Sequence, residues 1–417
     1  MRRLDRAEII AAGSELLTPH RLDTNSLYLT GRLNELGVVL AGKCVVGDDR
    51  RAMAEVFGQA IARADLVIVT GGLGPTADDV TRDAVSKVLG RTLEENQEIL
   101  TAIRQRFERR GLKMPEVNRR QALVPSGAVV LANAFGTAPG LLLEADGRMV
   151  VLLPGPPREL RPMFETHVEP RIAARTGGRR LLRRVVKITG RSESQVEELA
   201  FPVYSTFGTA DAPVETTILA APGQIELHVS AAGSDVTTLA RTLEDAVARL
   251  EAAVGSAVFS TDGRSLEAVV GAGLKARGWR IAAAESCTGG GLLSRLTDVP
   301  GSSAWVQGGV IAYANDVKVE QLDVPATLIA AHGAVSEPVA QAMAEGVRRR
   351  LRADVGVAIT GIAGPDGGST EKPVGTVVIA TSGPNAGVRS FLFPGDREAI
   401  RRFATTAALE MVRQTLS

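Results

Sequence analysis

Short apolar runs alternate with amphipathic stretches through the first part of the chain. Continuous apolar segments that end in glycine or polar residues are typical of buried strands, and apolar residues spaced three and four apart indicate helices with one buried face. The pattern predicts strands at residues 8–12, 38–46, 65–70 and 148–153, and helices at residues 25–36, 51–63 and 79–89. This alternation is typical of a mainly parallel sheet with helical crossovers.

The pattern changes after about residue 172 and changes back after residue 256. Between these points it predicts a small α+β unit: a strand at 181–189, a helix at 193–199, a hairpin of 216–220 and 224–230, and a helix at 236–253. An α/β alternation then returns, with helices at 266–277 and 292–296 and strands at 279–284, 309–313, 354–359 and 375–381. We therefore predict an α/β fold in three domains, 1–172, 173–256 and 257–417.

The composition of the 417 residues, 45% apolar and 23% charged, is that of a soluble globular protein. The formal net charge of +1 and the aromatic content of 4% do not indicate a nucleic-acid surface, so nucleic-acid binding is not expected. The two cysteines, Cys44 and Cys287, are far apart in the sequence and do not suggest a disulfide framework. No apolar run approaches the roughly 18 residues of a membrane span, and we expect a cytoplasmic protein without membrane contact.

The most informative segment follows the predicted strand at 279–284. It places Glu285 and Ser286 on a glycine-rich turn that opens a helix. Unpaired N–H groups and the positive end of the helix dipole favour a developing oxyanion or a phosphate at such a position. Two interpretations are open: the turn supports acyl-transfer chemistry, or Ser286 or Thr288 only caps the helix.

A nucleophilic serine needs a base. His332 is the one histidine in this part of the chain, and no Ser/His/Asp order is evident. Lys318 is the alternative, because a desolvated lysine loses its charge and can accept a proton, although an isolated lysine is more often a surface residue. Cys287 is a rival nucleophile, although a small buried thiol is the more common state.

A second glycine-rich loop follows the predicted strand at 65–70. Its glycines, Gly71, Gly72 and Gly74, could offer N–H groups to a phosphate, while Asp78 and Asp79 could hold a divalent cation. The alternative is that Thr76 and Asp79 form a capping box, which needs no ligand. The polar residues after the first strand that could reach the same edge of the sheet are Glu15, Asp23 and Asn25.

These segments together resemble the CinA family of competence/damage-inducible proteins. The shared motifs are Gly-Ser-Glu-Leu-Leu at 13–17, Asp-Thr-Asn at 23–25, Gly-Gly-Leu-Gly-Pro-Thr-Ala-Asp-Asp at 71–79, Leu-Pro-Gly-Pro-Pro at 153–157, Glu-Ser-Cys-Thr-Gly-Gly at 285–290, Lys318, and Thr-Gly-Ile-Ala-Gly-Pro at 360–365. The resemblance spans nearly the whole chain.

For the first two domains the resemblance implies two modules. The first is a molybdopterin-binding-like domain with ADP-ribose pyrophosphatase activity, which uses a divalent metal such as Mg²⁺ at Asp78, Asp79 and Glu15. Its substrate-binding positions would include the three glycines of the loop together with Asp23 and Asn25. The second module is similar to a KH domain but lacks an evident Gly-x-x-Gly loop, so the resemblance does not extend to RNA clamping.

For the third domain the resemblance implies a nicotinamide mononucleotide deamidase that needs no cofactor. Ser286 maps to the nucleophile and Lys318 to the base, with Tyr313 and Thr360 near the reacting group. The remaining substrate-binding positions are Glu285, Cys287, Thr288, Gly289, Gly290, Gly361, Gly364 and Arg401. Members of the family are typically homodimers, and the partners of this chain would be small nucleotides.

Two functions from different classes follow. The first is a bifunctional hydrolase of pyridine-nucleotide salvage, which deamidates nicotinamide mononucleotide and cleaves ADP-ribose to AMP and ribose 5-phosphate. The alternative is a non-catalytic protein that binds a nucleotide or pterin and acts as a partner in competence or DNA repair. Ammonia release from the mononucleotide distinguishes them.

Overall fold

The computed structural model describes residues 2–207 and 214–416. The chain forms two compact units, Met1–Leu182 with Ala231–Arg241, and Arg183–Ser230 with Thr242–Ser417. The division into three domains stays a prediction, because the middle segment contributes residues to both units.

The N-terminal sheet is parallel at its centre. In chain order the strands of this part are β1 (Arg6–Ala12), β2 (Val39–Val46), β3 (Leu66–Thr70), β4 (Leu93–Glu95), β5 (Leu123–Pro125), β6 (Val129–Leu131), β7 (Gly140–Ala145) and β8 (Arg148–Leu153). Six of them form a sheet in the order β2-β1-β3-β8-β7-β6, while β4 and β5 pair separately. The first four strands of that order are mutually parallel, and β7 and β6 add an antiparallel edge that the sequence did not predict.

Helices cover both faces of this sheet. They are α1 (Thr24–Glu35), α2 (Arg50–Arg63), α3 (Thr81–Val88), α4 (Gln97–Glu108), α5 (Pro157–Met163) and α6 (Glu169–Ala173). Met53 and Phe57 of α2 lie in the core on one face, and Leu29 of α1 and Leu160 of α5 lie in the core on the other. Burial on both sides explains why β3 is a continuous apolar run, since neither set of alternating side chains meets water.

The middle segment contains the predicted strands, hairpin and helices. Its elements are β9 (Arg180–Thr189), α7 (Glu193–Tyr204), β10 (Val214–Ala221), β11 (Gln224–Gly233), α8 (Val236–Val254) and β12 (Val258–Ser260). The strands form a sheet in the order β10-β11-β9-β12. The helix α7 begins with a capping box between Ser192 and Gln195 and runs five residues past the predicted end at 199.

The C-terminal part is a second α/β layer structure. Its elements are α9 (Leu266–Arg277), β13 (Ile281–Glu285), α10 (Gly291–Thr297), β14 (Val306–Ile311), α11 (Asn315–Leu322), α12 (Ala326–His332), α13 (Glu337–Arg350), β15 (Val355–Gly361), β16 (Thr376–Ser382), β17 (Gly387–Leu392) and α14 (Arg397–Thr415).

The sheet runs in the order β14-β13-β15-β16-β17, with β14, β13 and β15 parallel and the last two strands antiparallel. Val270 of α9 and Leu409 of α14 pack on one face of the sheet, while Met343 of α13 packs on the other. Ligands of such sheets bind beyond the carboxyl ends of the parallel strands, which places the turn after β13 at the expected edge.

Candidate active site

The turn after β13 is organised by the carboxylate of Glu285. This side chain has no exposed surface and accepts four hydrogen bonds. Its Oε2 atom accepts from Thr288 Oγ1 at 2.7 Å and from the backbone N–H groups of Gly290 and Leu292 at 3.0 and 3.1 Å, and its Oε1 atom accepts from Leu293 N–H at 2.9 Å. The three backbone donors are otherwise unpaired amides at the start of α10, whose positive dipole end favours a carboxylate.

This geometry makes Glu285 the cap of α10, because its buried carboxylate accepts its hydrogen bonds from the turn. The sequence did not predict the cap, because the spacing between Glu285 and Leu293 does not match the usual capping box. That Glu285 binds substrate stays a prediction. Gly290 supplies the left-handed residue that precedes α10, with φ +95°.

Ser286 and Lys318 lie next to each other. Lys318 Nζ is 3.2 Å from Ser286 Oγ, 2.8 Å from the carbonyl oxygen of Ala312 and 3.1 Å from that of Tyr313. The lysine is 1% exposed, and burial lowers the pKa of its amine. Lys318 Nζ donates to Ser286 Oγ and to both carbonyls, which the three N–H groups of an ammonium satisfy. In its neutral form the amine keeps two donors for the carbonyls and has one lone pair that can accept the proton of Ser286.

The position of Lys318 follows from α11. The helix begins directly after the turn that ends β14, and Lys318 sits in its first turn, so its side chain points back toward the carboxyl ends of β14 and β13. The sequence could not distinguish this lysine from a surface lysine, because α11 has a mostly polar sequence.

Cys287 is a poor rival for the nucleophile. Its side chain is buried, and burial raises the pKa of the thiol to about 11. The reactive form of a cysteine is the thiolate, so at neutral pH this residue behaves as a small apolar side chain in the core.

The structure narrows the choice of oxyanion donors. The amides of Gly289 and Gly291 donate to the carbonyls of Ser286 and Thr288 at 3.1 and 3.2 Å, and the amide of Gly290 donates to Glu285. The amide of Ser286 itself donates to Ile359 at 2.9 Å. These contacts leave the amides of Cys287 and Thr288 as the candidate oxyanion donors of this turn.

The rim of the cleft carries two arginines from α14. Arg397 donates to the hydroxyl of Tyr313 at 3.0 Å and to the carbonyl of Gly364 at 2.8 Å. Arg401 donates to the carbonyl of Thr288 at 2.7 Å, which ties α14 to the Ser286 turn. The ring of Tyr313 is 59% exposed and available to a ligand. The sequence left two interpretations of Arg397 open, a phosphate clamp together with Arg401 or a balance to the acidic residues Asp396 and Glu398.

Thr360 and Gly361 end β15 beside the Ser286 turn. Thr360 is 1% exposed, and its hydroxyl donates to the carbonyl of Ala334 at 2.9 Å. This bond connects β15 to the segment before α13, so in this structure Thr360 holds the wall of the cleft together.

The N-terminal unit carries a separate cleft at the carboxyl ends of β1, β3 and β8. Its volume is about 450 Å³. The predicted residues that line it are Gly71, Gly72, Gly74, Asp78, Asp79 and Glu15. Asp23 and Asn25 line an adjoining pocket of about 350 Å³, so the structure brings these residues to one edge of the sheet, as predicted.

The residues of this cleft fit a metal only in part. The carboxylate of Asp79 closes its own loop: it accepts from the amides of Gly74 and Thr76 at 2.6 and 2.8 Å and from the Thr76 hydroxyl at 2.6 Å. Three of its roughly four lone-pair positions are thereby used. Within residues 2–207 and 214–416, no group of three or more His, Cys, Asp or Glu side chains is arranged to hold a metal ion.

Asp78 and Glu15 are the carboxylates of the predicted set that remain exposed at the cleft. The neighbouring Thr76 side chain and the residue's own backbone lower the pKa of Asp78, so its side chain is ionised at neutral pH. Mg²⁺ is commonly held by one or two carboxylates together with substrate phosphates. The divalent metal stays a prediction, with Asp78 and Glu15 as its protein ligands.

Known proteins resemble both halves of the chain. The probable molybdopterin binding domain matches residues 8–174, and the CinA C-terminal domain matches residues 263–416. A CinA-like protein of Koribacter versatilis is 46% identical over 415 residues, which cover 98% of this chain and 99% of the relative. The chain belongs to the CinA family. This confirms the resemblance found in the sequence motifs.

Other members of the CinA family are named for competence. A putative competence-damage inducible protein of Symbiobacterium thermophilum is 45% identical over 423 residues and covers 98% of each chain. The crystal structure of the competence/damage inducible protein CihA from Agrobacterium tumefaciens is 40% identical, covering 36% of this chain and 94% of that one, with a TM-score of 0.36. In the described part of this CinA-family chain, no helix has both the length and the apolar character that a bilayer crossing needs.

Proposed function

We propose that the Ser286 cleft hydrolyses the carboxamide of nicotinamide mononucleotide. The single observation that carries the proposal is the pair of Ser286 Oγ and Lys318 Nζ, 3.2 Å apart and buried at the end of β13. A serine with a desolvated amine within hydrogen-bond distance is the arrangement that nucleophilic catalysis without histidine requires. The substrate itself comes from the family resemblance.

The chemistry starts with attack of Ser286 Oγ on the carboxamide carbon, while Lys318 Nζ takes the hydroxyl proton. The amides of Cys287 and Thr288 stabilise the oxyanion. The C–N bond then breaks, the lysine returns the proton to the departing nitrogen, and ammonia leaves an acyl ester on Ser286. Water attacks the ester, gives a proton to Lys318 and releases the nicotinic acid mononucleotide, and the proton returns to Ser286. General base catalysis by the lysine contributes about 10²- to 10⁴-fold.

Arg397 and Tyr313 are suited to the remainder of the substrate. The exposed ring of Tyr313 offers a face to the pyridine, and the guanidinium of Arg397, held against the Tyr313 hydroxyl at 3.0 Å, places a positive charge beside it for the phosphate. The ring is fixed in position because Arg397 also bonds to Gly364.

The test is ammonia release from nicotinamide mononucleotide by the full chain and two adjacent variants. Ser286→Ala should abolish release, because it removes the nucleophile. Cys287→Ala is the matched control and should retain substantial activity, because the thiol is protonated and buried. The reverse result would overturn the serine assignment, and no ammonia from the wild-type chain would favour the non-catalytic alternative.

We propose in addition that the N-terminal cleft cleaves ADP-ribose to AMP and ribose 5-phosphate with a divalent metal. The observation that favours it is the combination of the glycine turn after β3 with the basic residues Arg106, Arg110 and Arg158 along one cleft. Backbone amides and guanidinium groups are the partners that a pyrophosphate needs. AMP formation with and without Mg²⁺ tests this activity, and the expected homodimer stays a prediction.

A further inference from the structure

A separate cavity lies within the second compact unit. Its volume is about 510 Å³, which is within the size range of small-ligand sites. One wall is formed by α14 and β17, and the other mainly by the turn between β9 and α7. Among the described residues, none that the sequence predicted for either site lines this cavity. The two proposed activities therefore leave it without a role.

Three phenylalanine rings are stacked along the first wall. The ring centroids of Phe391 and Phe393 are 5.2 Å apart with an angle of 12° between the planes, and those of Phe393 and Phe403 are 5.6 Å apart with an angle of 13°. All three side chains are partly exposed and line the cavity. Phe393 has a ring against each of its faces, whereas Phe391 and Phe403 use only one face within the stack. A planar ring of a ligand can extend such a stack.

Two arginines flank the phenylalanine stack. Alternate residues of a strand share a face, so Arg389 stands beside Phe391 on β17, and both line the cavity. Arg191 belongs to the other wall, in the turn before α7. Within the described part of the chain, neither guanidinium group has a hydrogen bond or an ion pair. The cavity thus places two unpaired positive charges next to an aromatic surface.

The acidic residue of the lining does not oppose an anion. Both carboxylate oxygens of Glu410 accept from Arg413 at 2.8 Å, and Oε1 also accepts from Gln414 Nε2 at 2.7 Å. On the other wall, Gln195 Oε1 accepts from the amide of Ser192 at 2.9 Å. Gln414 Oε1 and Gln195 Nε2 have no partner among the described residues, which leaves one acceptor and one donor for the polar edge of a heterocycle.

From these contacts we propose that the cavity binds a nucleoside monophosphate, at a site separate from the two clefts. The base extends the stack beside Phe391, and its polar edge meets the side-chain amides of Gln195 and Gln414. The phosphate binds the guanidinium groups of Arg389 and Arg191, which match the geometry of phosphate oxygens. One open position at the end of a short stack accommodates one base, which favours a mononucleotide over a nucleic-acid strand.

Two substitutions test the stack and the charge without opening the core. Phe391→Leu removes the aromatic face but keeps a large apolar side chain against the core. Its control is Phe201→Leu, because Phe201 is 53% exposed on α7 and lies outside the cavity. Arg389→Gln removes one unpaired charge. Its control is Arg183→Gln, since Arg183 is exposed on β9 and also lies outside the cavity.

The measurement is titration of the full chain with 2-aminopurine riboside and with its 5′-monophosphate, whose fluorescence falls when the base stacks. Phe391→Leu should weaken the binding of both probes by about 5-fold or more, because both lose the stacking face. Arg389→Gln should weaken only the monophosphate, and the two control variants should bind like the wild type.

Two results would overturn the proposal. If Phe391→Leu binds both probes like the wild type, or if the wild type binds neither, the cavity is not a nucleotide site. Binding that survives in Phe391→Leu belongs to the other two clefts, so the difference between this variant and the wild type isolates the cavity. Tighter binding of a single-stranded oligonucleotide that contains 2-aminopurine than of the monophosphate would make this surface a nucleic-acid site instead.

Discussion

Replacement of Glu285 by glutamine is the sharpest test of how the Ser286 turn is held. The glutamine oxygen can take over the three bonds to Thr288, Gly290 and Leu292, but the amide nitrogen then faces the N–H group of Leu293, donor against donor. Loss of one buried charged hydrogen bond costs about 1.5–3 kcal/mol, and loss of the charge at the start of α10 costs about 0.3–1 kcal/mol. We therefore expect a destabilisation of about 2–4 kcal/mol.

The chain has a built-in probe for this measurement. Its two tryptophans, Trp279 and Trp305, both lie in the C-terminal domain, and Trp305 packs in the same core as Leu292 of α10. Tryptophan fluorescence during urea unfolding therefore reports that domain. With a slope of about 2 kcal/mol per molar urea, the midpoint should fall by about 1–2 M.

The matched control is Glu398→Gln in the first turn of α14, which is exposed and should change the midpoint little. Glu285→Gln should also lower kcat for ammonia release more than it raises KM, because the turn that carries Ser286 loses its anchor. An unchanged midpoint together with a raised KM would refute this reasoning and support the prediction that Glu285 binds substrate.

Three further predictions follow from the same cleft and its N-terminal counterpart. The rate of ammonia release should rise with pH, with a midpoint below 10.5, the pKa of a solvated lysine, because Lys318 acts as the neutral amine and burial lowers its pKa. Lys318→Arg, which stays protonated, should abolish both this pH-dependent rise and the activity. A wild-type pH profile in that variant would exclude the lysine as base. Iodoacetamide at neutral pH should label exposed Cys44 much faster than Cys287, whose thiol pKa is about 11, and equal labelling by mass spectrometry before unfolding would contradict this. Gly71→Ala should destabilise the N-terminal unit by about 1–3 kcal/mol, since Gly71 has φ +89° and a Cβ there would lie 2.3 Å from the Ala12 carbonyl oxygen. The control is Gly90→Ala, where a Cβ meets no neighbour. Equal melting temperatures of the two variants would disprove the clash.

The central strands and the main helices were predictable because they have strong local signals. β8 was predicted at its observed bounds, since a buried strand between two helical layers is a continuous apolar run. The antiparallel edges, such as β17 after β16, were not predicted, because edge strands are half-exposed and alternate less clearly.

From the sequence alone, the motifs determined the family, the two glycine turns and the identity of Ser286 as a candidate nucleophile, because glycine and polar residues directly after apolar strands mark ligand loops. The tertiary structure decided which neighbours those residues have. The contact of Lys318 with Ser286, the capping of α10 by Glu285 and the loop closure by Asp79 arise only between segments that are distant in sequence or bent back by a turn. Such contacts depend on side-chain direction and burial, which local pattern does not contain.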